Sequence, residues 1–206
     1  RVTYSRTNLL LANSLATNPN LSAQARPVIS QLVQQAIREA KNAVALNPLK
    51  VTNVENLAVV YRNLLSFAQG ADAWTVASYR QAIVLDPVNP NLRIALGGVY
   101  YSQKNWDEAI RFFQMAVDLK PDLANAHYNL SAAYREKGDL AQAVTALQNA
   151  VQLVDKSTSD YDKVVKELAD LQAKAGPTLT PSPVPSSAES QLTQPEPLPS
   201  PKVKPP

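Results

Sequence analysis

The chain has 206 residues, 45% of them hydrophobic, and a net charge of +3. With no cysteine and one histidine, His127, it excludes disulfides, thiolate metal sites and any centre that needs two imidazoles. No run reaches the roughly 18 apolar residues of a membrane span, and no signal-peptide layout opens the chain, which begins at Arg1 and reads as a fragment or processed product.

In chain order, residues 1–48 read as a divergent repeat unit. Leu11, Ala12 and Leu15 share one face of a first helix over residues 3 to 17, and Ala36, Ala40 and Ala43, stopped by Pro48, mark a second. Between them a long connection runs from Thr17 to Pro27. Charge is uneven here: Arg1, Arg6, Arg26, Arg38 and Lys41 against Glu39 leave +4 in residues 1 to 47, so the remainder carries −1. Anionic lipid or another polyanion would suit that balance. Five cations spread over 47 residues make no cluster, so a thinly charged edge is the favoured reading.

Residues 51–155 hold three helix pairs. Leu96, Gly97, Tyr100, Ala109, Phe113 and Ala116 recur 34 residues later as Leu130, Ser131, Tyr134, Ala143, Leu147 and Ala150. One period upstream stand Tyr79, Ala82 and Pro87, matching Phe113, Ala116 and Pro121. The first pair, 51 to 87, begins with Leu57, Ala58 and Tyr61 and carries five extra residues, placed within Ser66 to Asp72 as a longer turn or a lengthened helix end. Small residues at Gly97 and Ala109 let paired helices approach; Tyr100 and Phe113 fill the space between layers; Pro87 and Pro121 stop one helix and start the next turn. Lys104-Asn105 and Gly138-Asp139 are the polar turns inside two of the pairs.

Residues 160–174 form a capping amphipathic helix, with Tyr161, Val164, Val165, Leu168 and Leu171 as its stripe. From 177 to 206 the chain holds ten prolines, no aromatic residue and no hydrophobic period, the composition of a disordered spacer.

The middle unit, Leu96-Gly97-x-x-Tyr100, Ala109-x-x-x-Phe113 and Pro121, resembles the tetratricopeptide repeat. That resemblance implies an all-α, right-handed superhelical solenoid of helical hairpins that binds rather than catalyses. In this family the first helix of each pair lines a concave groove. The groove positions here hold Glu55, Arg62 and Asn63 in the first pair, Asn91, Ile94 and Tyr101 in the second, and Asn125, Tyr128 and Arg135 in the third. Tyr and Arg are the residues that most often anchor partners. The subclass that grips chaperone carboxylate termini has Lys and Asn where this chain has Glu55 and Val59, so that function is not carried over.

No catalytic or metal-ligating set emerges. His127 falls on a packing position, Gly97-Gly98 lies inside a helix, and the acid pairs Asp107-Glu108 and Asp160/Asp162 sit at helix starts, where they complement the helix dipole. No basic stripe with interleaved aromatics points to nucleic acid. The expectation is a cofactor-free scaffold for a protein or peptide partner. Segments Asn8–Ser14, Ala36–Ala40 and Asn56–Arg62, with Phe67–Asp72, are also similar to a repeat region that follows a membrane domain resembling bacterial O-antigen ligases. This similarity implies the alternative of a soluble accessory domain of a glycan-ligase membrane protein, at an extracytoplasmic or membrane-associated site.

Overall fold

The computed structural model describes residues 1–17, 25–65 and 68–176; among these are nine helices and no strand. The proline-rich spacer expected over 177–206 lies outside the described residues, as does most of the Thr17–Pro27 connection. The helices fall into two compact units, four helices before Asp86 and five after it.

In the first unit α1 (Val2–Ala16) pairs with α2 (Ala25–Leu46), and α3 (Val51–Arg62) with α4 (Ala71–Leu85). Helix α2 also touches α3, and α1 touches α3, so first helices lie beside first helices. Leu9, Ala36, Ala40, Leu57, Val60, Tyr61, Leu64 and Ala71 form its core. Helix α3 ends before the surplus residues, and Leu64 and Leu65 bond back to Tyr61 and Arg62 in turns. The insertion therefore lengthens the connection, not the helix.

Polar side chains tie this unit together. Fully buried Asn56 donates to Ser5 Oγ (3.3 Å) and accepts from Arg6 Nε (3.0 Å), while Ser5 donates to the Ala36 carbonyl (2.8 Å). Two turns further on Asn13 donates to Asn63 (3.2 Å), again 50 residues apart, which sets α1 and α3 in register. Asn53 donates to the Ala43 carbonyl at 2.8 Å.

In the second unit α5 (Pro90–Ser102) pairs with α6 (Trp106–Leu119), α7 (Ala124–Lys137) pairs with α8 (Leu140–Leu153), and α9 (Ser159–Ala175) packs on α8. Here side-chain caps start α5, α6 and α8, whereas α7 and α9 begin without one. Asn89, Asn105 and Asp139 are N-caps whose side chains accept backbone N–H groups, and Pro90 follows Asn89 at the first helical turn. The two polar turns need a left-handed residue: Lys104 has φ 58° and Gly138 φ 92°.

The close-approach positions are filled in two ways. A Cβ on Gly97 would stand 2.6 Å from the Phe113 ring. One period later Ser131, also buried, donates its hydroxyl to the Ala143 carbonyl across the pair at 2.7 Å. His127 is buried with Nε2 2.8 Å from the Pro121 carbonyl, so that nitrogen carries the proton and the ring is a packing residue with a satisfied donor. Its counterpart 34 residues earlier, Arg93, donates to the Asn89 carbonyl (3.2 Å), while its buried Nε has no hydrogen-bond partner. Helix α9 closes the unit: Val164 and Leu171 join Ala143, Leu147 and Ala150 in one cluster, against which Leu168 and Tyr134 pack.

Candidate functional site

The residues expected from the sequence to line a groove lie on the first helices of each unit. In the first unit Glu55 and Asn63 are half-buried and Arg62 is exposed. Asn63 is partly occupied: it caps α3 through a bond to the Val59 carbonyl (2.8 Å) and accepts from Asn13. Glu55 and Arg62 both act electrostatically on the Tyr79 hydroxyl. Burial raises the pKa of this phenol above its usual value, with Arg62 pulling it down and Glu55 pushing it up.

In the second unit α5 and α7 lie side by side. Asn91 is exposed and Ile94 half-buried at the start of α5. Tyr101, half-buried near its end, meets Trp106 edge to face with ring centres 5.1 Å apart. On α7, Asn125 is exposed and accepts twice from the Asn129 amide, through its side-chain oxygen at 2.8 Å and its carbonyl at 2.6 Å.

Tyr128 and Arg135 converge on one carboxylate. The Tyr128 hydroxyl donates to Glu167 Oε2 at 3.0 Å, and the Arg135 guanidinium donates to Glu167 Oε1, so a side chain of α9 reaches across to α7. The Tyr128 phenol is raised above its usual value, first by burial and then by the bond to Glu167 and its charge. For Arg135 burial opposes the charge, but the bond and attraction to Glu167 outweigh it and the group is raised. Tyr101 acts electrostatically on both, which places the three side chains in one neighbourhood.

Beside this clasp, α7, α8 and α9 line an open cavity of about 470 Å³ that includes Asn125, Tyr128 and Glu167. Glu167, Trp106 and the α9 wall of the cavity were not anticipated from the sequence. Glu167 reads there as a residue of the solvated side of an amphipathic helix, and only the helix's placement turns it toward α7. Trp106 had a usable signal: an aromatic residue directly after the turn Lys104-Asn105, five residues from Tyr101.

Residues 90–156 match the family model described as tetratricopeptide repeat. Among known proteins, Arabidopsis thaliana mitochondrial import receptor subunit TOM20-3 is 29% identical over 113 residues, 47% of this chain and 55% of its own length. FK506-binding protein 5 of Rhizopus delemar is 24% identical over 67% of this chain and 37% of its own. The chain thus spans about half or less of these relatives. Among solved structures, TTC0263, a thermophilic TPR protein of Thermus thermophilus, has a TM-score of 0.57 at 20% identity, covering 82% of this chain and 90% of that one. MamA has a TM-score of 0.54 at 19% identity, covering 75% and 95%. Residues 90–156 thus match the tetratricopeptide repeat, and the solved structures share the helical-repeat fold in which the hairpins of this chain are arranged.

Proposed function

We propose that the scaffold binds an extended peptide or protein segment against the exposed side of its first helices, with Tyr101 and Tyr128 as anchors in the second unit. The observation that carries this reading is that Asn91, Ile94, Tyr101, Asn125, Tyr128 and Arg135 are all exposed or half-buried on two adjacent helices, while the repeat's packing residues are buried behind them. Amides along such a surface can pair with an extended backbone, and two tyrosines supply rigid apolar area at low entropic cost. Glu55, Arg62 and Asn63 would serve in the same way within the first unit. A receptor subunit among the relatives is in keeping with partner binding. The likeness to ligase-associated repeats bears on where such a scaffold would work, not on how it would bind.

The test is affinity capture with the full chain as bait, comparing wild type with Tyr101→Ala/Tyr128→Ala and identifying bound proteins by mass spectrometry. A partner retained by wild type should fall at least about tenfold in the double variant, since truncating a buried aromatic anchor typically costs about 2 kcal/mol or more. Circular dichroism should show the fold intact. Equal retention by both baits, or loss on deletion of 177–206 alone, would refute the groove.

A further inference from the structure

The cavity between α7, α8 and α9 has a composition that specifies what could enter it. We propose that it receives a basic side chain, lysine or arginine, from the partner segment. This rests on the groove reading, because it takes α7 as partner-facing, and it narrows the partner's chemistry.

The inner wall is apolar, built by Ala150, Val154 and Val164, and suits the methylene stem of a long side chain. Around it stand three carboxylates, Asp155, Asp160 and Glu167; Lys163 pairs with Asp160 and Arg135 with Glu167, which leaves one negative charge in excess, at Asp155. The Lys163–Asp160 pair (2.9 Å) is largely exposed and joins residues three apart, a contact that exchanges easily for another cation. Glu167 is held in place by Tyr128 and Arg135 before any ligand arrives, so little ordering is left for binding to cost. The Tyr128 side chain is 38% exposed and forms one side of the cavity, where its ring can face a cation.

Other occupants fit less well. The N-terminus of α9 opens here and would favour an anion, but Asp160 and Asp162 in its first turn already meet that field, and an incoming carboxylate would face the three that line the cavity. A purely apolar side chain would cover the valines but desolvate the carboxylates. At about 470 Å³ the space lies within the roughly 300–1,000 Å³ of small-ligand sites.

The test uses the full ¹⁵N-labelled chain and blocked pentapeptides Ala-Ala-X-Ala-Ala, with X as Arg, Lys, Leu or Glu. The Arg and Lys peptides should shift the amides of Thr158, Lys163 and Val164 saturably, with affinity falling severalfold from low to about 0.3 M salt as screening sets in. Asp155→Asn/Asp160→Asn, at two exposed positions, should weaken the Arg peptide at least about fivefold with thermal stability kept, and Lys163→Glu should strengthen it. Equal binding of the Glu or Leu peptide, no shift with any peptide, or an unchanged affinity in the double Asn variant would overturn the proposal. Tyr101→Ala, outside the cavity, separates this from the groove reading. If it leaves both captured partner and Arg-peptide shifts unchanged, the cavity stands and the groove fails. If it releases the partner while the Arg peptide never shifts the cavity amides, the groove stands and the cavity fails.

Discussion

The two units solve the same packing problem with different chemistry. The second is held mainly by periodic apolar contacts, with side-chain N-caps at Asn89, Asn105 and Asp139 but none at Leu123 or Thr158, and with one buried hydroxyl tie from Ser131 to the Ala143 carbonyl. The first lacks side-chain caps at Arg1 and Lys50 and instead runs buried amides and hydroxyls between helices, through Ser5, Asn53 and Asn56. A buried amide that finds its partners costs little, but it loses heavily if one partner goes. The first unit should therefore fail at single polar substitutions, and the second at changes of volume.

Volume gives the largest effect. Gly97→Leu drives a side chain into the Phe113 ring, and overpacking of this kind costs about 1–3 kcal/mol or more, read as a fall in thermal midpoint. Its neighbour is the control. A Cβ on Gly98 meets nothing within 4 Å, so Gly98→Ala should raise stability by up to about 1 kcal/mol through helix propensity alone. If both variants behave alike, the crossing of α5 and α6 has been misplaced.

Next comes Asn56→Ala, which removes a fully buried amide with its bonds to the Ser5 hydroxyl and the Arg6 guanidinium and should cost about 1–3 kcal/mol. Hydrogen exchange should speed up in α1 to α3 and stay slow in α6 to α8. Uniform acceleration would show that the network does not belong to the first unit. Smaller still is Asp139→Ala, which removes the acceptor for the Gln142 N–H and should cost about 1 kcal/mol by denaturant titration, whereas Thr158→Ala at α9, with no side-chain cap bond, should cost less.

The mildest perturbation is alkali. Tyr61, Tyr79, Tyr128 and Tyr134 all have raised phenol values, with burial the leading cause. A raised folded value means that the folded state holds the proton longer than the unfolded one. The stabilisation is thus complete below the usual tyrosine value of 10.0 and is lost as pH rises through the folded values above it. Tyrosinate absorbance should appear above that value together with loss of helix, and Tyr128→Phe should remove only the part that concerns α9.

The repeat pairs were legible because an apolar period of 34 reports burial directly, as Leu96, Phe113 and Leu147 show. The turn residues were legible because a left-handed backbone and an N-cap each demand particular residue types. The polar ties of the first unit left no such trace: the acceptors of Ser5 and Asn53 are carbonyls of Ala36 and Ala43, and a carbonyl is not encoded by residue type. Glu167 escaped for a related reason, since an exposed-looking charge on an amphipathic helix says nothing about which neighbour it will meet.

Lys104 and Gly138 stand one period apart, and both hold the left-handed conformation, although only one of them is suited to it. The joint keeps its geometry while the residue is free to differ, so it acts as a compatible splice point. A recombinant gene that enters at one turn and leaves at the other would gain or lose a whole hairpin without disturbing backbone direction, and Lys104→Gly would ease the strain of that join with reading frame and fold unchanged.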